Sequence, residues 1–334
     1  MMDLSILIVN WNTKDYLLHC LESIFRKVNA PSWEVILIDN GSQDGSGAEA
    51  RKRFPSIDLI ENHENVGFAK AMNQGLKKAS GKYILLLNPD TEIKEGAFDR
   101  LLAFMDTHLE IGATGAQLLN PDGSRQNSIA NFPSLATELL NKSLLRGLFP
   151  KEFPGKEKEY PEPIEVDSVI GACLMVRRKV VEEVGFLDEN YFLFLEETDW
   201  CYRMKKAGWK VYHIPQAEVF HFQGKSAEAK RERAKVEYFR SRYHFFKKYR
   251  GKPQWFILLI GLMIKLFVEL IVATVGCIFT LFTISKWRRN LSTYAYLAWW
   301  HFRFCPEGMG LKPVKEEIRN PSTEIRDKFK ISIS

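Results

Sequence analysis

The chain has few cysteines and no arrangement that would organise them. Its five (Cys20, Cys173, Cys201, Cys277, Cys305) lie far apart and are odd in number, with no CxxC pair and no zinc-ligand spacing. That pattern argues against a disulfide framework and a zinc site, and sets a reducing, intracellular compartment as the expectation. A glycine-rich phosphate loop is also missing: neither GxGxxG nor GxxxxGK[ST] occurs. Bound phosphates would therefore need a metal or cationic side chains. The sequence holds no internal repeat. A secretory leader is not expected, because the apolar run at 4–9 is short, lacks a basic lead and runs into Asn10-Trp11-Asn12.

What is present is a folded composition. Hydrophobic residues at 46% and charged residues at 26% leave no room for global disorder. A length of 334 residues suits one large domain, or one domain with an appendage. The formal net charge of +6 is unevenly placed: residues 225–252 hold eleven Lys or Arg against three acids, and a long apolar stretch follows. Basic followed by apolar points to an anionic membrane surface rather than to nucleic acid.

Short apolar runs alternate with amphipathic segments through the first half. Strands are predicted at 4–9, 35–38, 57–60 and 83–87, and helices at 16–26, 68–79 and 98–107. Such βαβ alternation predicts an α/β fold with a mostly parallel, doubly wound sheet. Beyond it, 111–119 reads as a strand closed by the turn Asn120-Pro121-Asp122-Gly123. Residues 131–163 read as a loop with one short helix, and 166–176 as a strand broken by Gly171. Helices are predicted at 179–184 and 198–206, short strands at 210–213 and 217–222, and a long basic helix at 227–249.

Three of the leading strands end in polar residues: Asn10-Trp11-Asn12, Asp39-Asn40-Gly41-Ser42 and Asn88-Pro89-Asp90. One such end is ordinary turn chemistry. Three on one sheet edge favour a crevice, where open α/β sheets bind ligands. The oxygens of Asn88 and Asp90 suit Mg2+ or Mn2+, and that cation suits a diphosphate. Asp39 can accept the N3–H of a uracil or thymine ring, and Trp11 can stack on the base. Asn65-Val66-Gly67-Phe68 opens a helix whose N-terminus would favour an anion, although a plain capped helix also accounts for it. Glu196, Glu197 and Asp199 crowd against Tyr191-Phe192-Leu193-Phe194. Crowding and burial raise a carboxyl pKa, which suits a general base, whereas a helix N-terminus attracts acids anyway. Asp199 and Arg203, four apart, read as a structural pair. His221 sits among aromatics and reads first as a packed core residue, with metal ligation still open.

Several motifs occur in a fixed order: Ile8-Val9-Asn10-Trp11-Asn12, Asp39-Asn40-Gly41-Ser42-Gln43-Asp44-Gly45-Ser46, Asn65-Val66-Gly67-Phe68-Ala69, Leu87-Asn88-Pro89-Asp90-Thr91, Gly171-Ala172-Cys173-Leu174-Met175, and Phe186-Leu187-Asp188-Glu189 through Glu196-Glu197-Thr198-Asp199-Trp200-Cys201. Together, from residue 5 to about 226, they resemble a family 2 glycosyltransferase with the GT-A fold. Within that family the likeness is to bacterial rhamnosyltransferase-like enzymes of surface polysaccharide assembly. The resemblance implies metal-dependent, inverting transfer of a sugar, with rhamnose the candidate, from a nucleoside-diphosphate sugar; the apolar segment near the C-terminus makes a lipid-linked glycan the expected acceptor. The resemblance also implies work at the cytoplasmic face of the bacterial inner membrane. Carried over by position, Val9, Asn10, Trp11, Asp39, Asn65, Gly67, Asn73, Asn88 and Asp90 would bind the donor. Asp90 and His221 would hold Mg2+ or Mn2+, and Glu197 would be the catalytic base. Two departures stand out: Asn88 replaces the first Asp of the family's Asp-x-Asp, and Glu197 stands where Asp is usual.

Two competing readings have specific marks. A sugar nucleotidyltransferase would carry a glycine-rich, Lys/Arg-bearing segment after its first strand, where Asn10-Trp11-Asn12-Thr13-Lys14 stands. A catalytically impaired, membrane-bound sugar-nucleotide scaffold draws support from Asn88, and is opposed by the carboxylates at Asp90 and Glu197.

Residues 255–284 carry only two charges, Lys265 and Glu269. A helix of that length extends roughly 45 Å, more than the ~30 Å hydrocarbon core. Lys247-Lys248-Tyr249-Arg250 before it and Lys286-Trp287-Arg288-Arg289 after it read as interfacial anchors. Basic residues at both ends favour a hairpin bending near Lys265 and Glu269 over a single span. The expected organisation is a catalytic domain at 1–226, a basic amphipathic helix at 227–252, a membrane-associated segment at 253–290, and an interfacial helix with a polar tail at 291–334.

Overall fold

A computed structural model describes residues 2–150, 152–155, 158–222 and 231–311. The start of the predicted basic helix at 227–230, the last residues of the family likeness and most of the polar tail lie outside the described residues.

The first half builds β1 (Leu4–Asn10), α1 (Lys14–Lys27), β2 (Trp33–Asn40), α2 (Ser46–Arg53), β3 (Asp58–Asn62), α3 (Phe68–Lys78), β4 (Tyr83–Leu87), β5 (Thr91–Ile93), α4 (Ala97–Thr107) and β6 (Ile111–Leu119). β3, β2, β1 and β4 lie side by side and parallel. Every residue of β1 and β4 is buried, as strands covered on both faces require. Alternate residues feed two apolar layers. Leu4, Ile6 and Ile8 pack with α1 and α4, while Leu7 and Val9 pack with Ala69, Met72 and Leu76 of α3. Sequence reading does not find α2. Its buried residues are Ser46, Gly47 and Ala50, too small and polar to leave a hydrophobic period.

The second half adds β7 (Ile129–Ala130), α5 (Leu135–Leu139), α6 (Lys142–Leu148), β8 (Ile164–Glu165), β9 (Ser168–Val169), β10 (Cys173–Arg177), α7 (Arg178–Val184), α8 (Glu196–Lys206) and β11 (Lys210–His221). Here the sheet turns mixed. β10 runs antiparallel between β4 and β6, β11 parallel to β6, and β5 antiparallel on the far edge of β11. The parallel reading thus describes the leading strands, within a mixed α/β sheet. β11 is one strand where the sequence suggests two; its register shifts between Ile214 and Glu218, around Pro215, which cannot donate to a ladder. Residues 131–163 hold two short helices rather than one, each set by a cap: Ser134 with Thr137 for α5, and the Asn141 side chain for α6.

Three helices follow: α9 (Arg231–Tyr249), α10 (Gly251–Phe279) and α11 (Ser285–Phe302). α10 is unbroken through Lys265 and Glu269, which corrects the expected bend there. No proline or glycine interrupts that stretch, and the chain instead turns at 280–284, where Leu281 and Phe282 take positive φ. α10 is long and apolar enough to cross a membrane. Leu258, Leu262, Leu266, Ala273 and Cys277 are buried on one side. Ile260, Ile264, Phe267, Ile271 and Val275 are exposed on the other. α11 returns along α10 with Trp287 seated on Gly276, where an added Cβ would come within 2.5 Å of the ring.

α9 is a bridge rather than a solvated basic helix. Val236, Phe239, Tyr243, Phe245 and Phe246 are buried, in one cluster with Leu258, Leu262 and Leu266 of α10 and Leu297 and Trp300 of α11. Arg242 pairs with buried Glu138 at 2.9 Å. Lys248 lies 2.7 Å from both Asp188 and Asp199. Part of the charge that the sequence assigns to an anionic surface is therefore engaged inside the protein.

Candidate active site

β5 sets the heart of the site. It pairs with β11 so that Thr91 lies opposite His221, and the Phe222 N–H donates to the Asp90 carbonyl at 2.9 Å. That register carries His221 to Asp90 across the sequence. His221 Nε2 lies 3.4 Å from Asp90 Oδ1 and 3.5 Å from Asn88 Nδ2. Both Asp90 and His221 are buried.

Gln126 orients the ring. Its Nε2 donates to the His221 carbonyl at 3.1 Å and to Asn120 Oδ1 at 2.9 Å, which fixes the amide. Its Oε1, an acceptor only, then receives a hydrogen bond from His221 Nδ1 at 2.6 Å. Nδ1 carries the hydrogen, so in the neutral ring the nitrogen facing Asp90 is Nε2 with its lone pair, the tautomer that metal ligation needs. No group of three or more His, Cys, Asp or Glu surrounds a metal position among the described residues. Asp90 and His221 supply two donors. A divalent cation held by two protein groups completes its shell with substrate phosphates and water, so the donor set fits such an ion. Glu92 is not part of it: it pairs with Lys27 at 3.1 Å and His19 at 3.0 Å.

Asp39 ends β2, two strands away from β4 and so about 10 Å across the sheet edge. Its Oδ1 accepts from the Ser42 N–H at 3.2 Å. Its Oδ2 occupies space that only a glycine at 47 leaves open, since a Cβ there would come within 2.6 Å. Trp11, partly exposed, follows β1 on the same edge.

Five of the expected donor residues have groups engaged within the protein. The Val9 side chain is buried in the apolar layer under α3. Asn10 donates to Ser42 at 3.1 Å and Ser46 at 2.7 Å and accepts from Thr13 at 2.7 Å, tying β1 to the β2–α2 loop. Asn73 both donates to and accepts from the Leu187 backbone and donates to Glu189 at 3.0 Å. Gly67, at φ +90, leaves room for Phe192, whose ring would lie 2.8 Å from an added Cβ. The Phe192 carbonyl also accepts the Phe68 N–H at 2.7 Å, so the start of α3 is capped by the chain rather than open to an anion. Asn65 Oδ1 accepts from Asn40 at 3.0 Å and from the Gly67 N–H at 2.9 Å, closing the loop over the end of β2.

Glu197 reaches this edge by a short route. The Asn88 N–H donates to the Ala172 carbonyl at 3.0 Å. A Cβ on the preceding Gly171 would touch Glu197 Cγ at 3.4 Å. The turn at Asn88 and the first turn of α8 are thus separated by one glycine. α8 is entered through Phe194 and Leu195, both at positive φ (71° and 67°), a strained conformation costing about 1–3 kcal/mol per residue. Burial lifts the Glu197 pKa, opposed by hydrogen bonds from the Glu197 and Thr198 N–H groups. Burial, then the charge of Glu197, lifts Glu196 well above the carboxylate range. Asp199 is instead structural: it is fully buried and held by Arg203 at 2.9 Å, Lys248 at 2.7 Å and the Tyr249 hydroxyl at 2.8 Å.

The profile of glycosyl transferase family 2 matches residues 5–185. The chain belongs to glycosyltransferase family 2. It is 32% identical over 207 residues to the N-acetylglucosaminyl-diphospho-decaprenol L-rhamnosyltransferase of Mycobacterium tuberculosis, covering 58% of this chain and 67% of that one. It is 23% identical over 224 residues to the rhamnosyltransferase WbbL of Escherichia coli K12, covering 65% of this chain and 82% of the relative. Among solved structures, the mannosyltransferase PcManGT of Pyrobaculum calidifontis, in complex with GDP-Man and Mn2+, aligns with a TM-score of 0.54 at 14% identity, over 88% of this chain and 84% of that one. GalNAc-T7 with UDP, GalNAc and Mn2+ aligns with a TM-score of 0.51 at 18% identity, over 66% of this chain and 44% of that one. These likenesses show the GT-A fold of this glycosyltransferase.

Sequence reading misses Gln126, Gly47 and β5. Gln126 lies in a polar run with no local mark, and its partner is 95 positions away. Gly47 sits in a helix that shows no period. A three-residue strand is too short to show an alternation.

Proposed function

We propose that this glycosyltransferase moves a sugar, with rhamnose the first candidate, from a nucleoside-diphosphate donor to a hydroxyl of a polyprenyl-diphosphate-linked glycan, with inversion. The observation that supports the reading is the Asn88–Ala172–Gly171–Glu197 route, which brings a half-buried carboxylate with a raised pKa to the sheet edge that carries Asn88. The acceptor named for the Mycobacterium tuberculosis relative supports the lipid diphosphate.

Asp39 binds the base of the nucleotide and Trp11 flanks it. Asp90 and His221 hold a divalent cation; a nitrogen donor suits Mn2+ better than Mg2+. That ion supplies charge neutralisation to the leaving diphosphate. Glu197 accepts the proton of the acceptor hydroxyl. The freed oxygen bonds to the anomeric carbon as the bond to the diphosphate breaks on the opposite face. Asn88 presents only an amide, so Asp90 is the anionic member of the Asn-x-Asp motif.

α10 lies in the membrane interface along its exposed apolar row. Its other face is packed on α9 and α11, so a full crossing would pull the polar start of α11, including Arg288 and Arg289, through the hydrocarbon, where each Arg costs about 2.5 kcal/mol or more.

The test is a panel of UDP-, dTDP- and GDP-sugars with Mn2+ or Mg2+, incubated with the full chain in detergent and a prenyl-diphosphate N-acetylglucosamine. Nucleotide release should match sugar incorporation, and the product should carry the inverted anomer. Retained configuration, or no incorporation from any donor, would overturn the proposal.

A further inference from the structure

The candidate base follows a turn that no local chemistry favours. Phe194 and Leu195 are consecutive residues at positive φ, 71° and 67°, and neither is a glycine or an asparagine, the residues that tolerate the left-handed region. The Leu195 carbonyl takes the first hydrogen bond of α8, from the Asp199 N–H at 2.8 Å. The direction in which Glu197 leaves the turn therefore depends on both strained residues staying as they are. Such a conformation persists only where its surroundings over-determine it.

Two hydrogen bonds from different elements hold the entry to the turn. The Phe192 carbonyl accepts the Phe68 N–H at 2.7 Å, from the start of α3. The next carbonyl, that of Leu193, accepts the Ser241 hydroxyl at 2.9 Å, from the middle of α9. Ser241 is only 3% exposed. A serine inside a helix commonly turns its hydroxyl to a carbonyl one turn back; this one crosses to another segment. Tyr238, three residues before Ser241 and so on the same face of α9, meets the Phe194 ring edge-on, with centroids 5.7 Å apart and planes at 88°. Two neighbouring side chains of α9 thus grip two consecutive residues of the turn. α9 is itself anchored by Val236, Phe239, Tyr243 and Phe246, in one apolar cluster with residues of α10 and α11. It reaches the segment again beyond the base, through Lys248 and Tyr249 on Asp199. Glu197 lies between the two holds.

We propose that Ser241 is a positioning residue for Glu197: its hydroxyl fixes the Leu193 carbonyl and, with the Tyr238 ring, holds the left-handed turn that aims the base. The proposal rests on the glycosyl-transfer reading for the role of Glu197, while the hold on the turn is testable without turnover. Removing the hydroxyl leaves the Leu193 carbonyl without that partner, and the strained pair loses one of the contacts that maintain it. The base then samples other directions. A displacement of a reacting group by about 1 Å is enough to cost about a hundredfold in rate.

The experiment compares the full native chain in detergent with Ser241→Ala. Amide hydrogen exchange, read by mass spectrometry, should speed up about tenfold across 194–199, where the Asp199 N–H reports the turn directly, and stay unchanged in α3 and β4. With donor and acceptor saturating, kcat should fall about ten- to a hundredfold, while donor affinity by calorimetry is unchanged. Ser241→Thr, which keeps the hydroxyl, should restore both exchange and kcat. Val236→Ala, in the cluster with α10 and α11, supplies a loss of stability without touching the turn, and should leave exchange at 194–199 and kcat near native. Unchanged exchange at 194–199 in Ser241→Ala overturns the proposal, whether or not the native protein transfers sugar. So does faster exchange with a native kcat, or a kcat loss no greater than that of Val236→Ala at equal loss of melting temperature, because each makes Ser241 structural only. Faster exchange in the variant of a protein that transfers no sugar from any donor supports the hold on the turn and counts against the transfer reading alone.

Discussion

The two sides of the cleft are held in place by different means. On the proposed donor side, Asp39, Asn88, Asp90 and His221 stand at strand ends. Their positions follow from ladder register and from side-chain amides (Asn10, Asn40, Asn65, Gln126) that stitch the strand ends together. On the proposed acceptor side, Glu197 rides on a helix entered through two left-handed residues, and α8 is held from behind by Arg203, Lys248 and Tyr249 on Asp199. A ladder shifts only by whole residues, whereas a helix fixed by ion pairs can tilt. The contrast implies that donor binding and base placement are separable, and that the C-terminal helices govern only the second.

The largest break should come from Glu197→Gln. Sugar transfer should fall about a thousandfold, within the range of general-base catalysis, while donor affinity by calorimetry is retained. Loss of donor binding in that variant would mean the two sides are not separable. Gln126→Leu attacks the other side. It frees His221 Nδ1 and should raise the Mn2+ concentration for half-maximal activity by about 10–100-fold, as loss of a metal ligand's orienting partner does. An unchanged Mn2+ titration would remove His221 from the metal shell.

Lys248→Met should be milder. It removes one cation shared by Asp188 and Asp199, and should cost about 2 kcal/mol in denaturant unfolding. The acceptor KM should rise while the donor KM holds; an equal rise in both would erase the contrast. Against the burial that would raise it, Lys248 together with Asn190 and His244 keeps Asp188 far below the usual carboxylate range. Its contribution to stability is therefore present at neutral pH and fades only in strong acid.

The smallest effect concerns the paired acids. Burial holds the Glu197 pKa up, so activity should fall with decreasing pH at a value above the ordinary glutamate pKa of about 4.3. Burial and the neighbouring Glu197 also hold Glu196 well above the usual carboxylate range. The folded chain keeps that proton where the unfolded chain gives it up, so this group's contribution to stability is present at low pH and is lost as pH rises through its folded pKa. Glu196→Gln should flatten the fall of melting temperature with rising pH above the ordinary glutamate pKa of about 4.3, with turnover changed by at most about threefold. An unaltered slope would show that Glu196 does not hold its proton in the fold.

How much of this was legible depended on range. β4 and β6 match their apolar runs residue for residue, because each is buried along its whole length. The strand-end placement of Asp39 and Asp90 and the Asp199–Arg203 pair follow from local spacing. Val9, Asn10 and Gly67 sit inside the named motifs and Asn73 just after one, yet the partners of Asn73, Gly67 and Asn10 are Leu187, Phe192 and two serines that no window of sequence brings near. The same holds for α9: its basic composition is plain, but the acids that face it lie about 50 to 100 positions earlier and become visible only in three dimensions.

α10 is an unbroken helix packed directly on α5 and α9, and on the proposed reading, with its exposed row in the interface, it would fix the height of Glu197 above the lipid. The assembly then works as a gauge. Only a hydroxyl standing at that height meets the base, so a glycan one sugar longer would carry its end past Glu197. The length of the growing chain would be read by the distance from bilayer to carboxylate, and one addition per acceptor would follow from geometry alone.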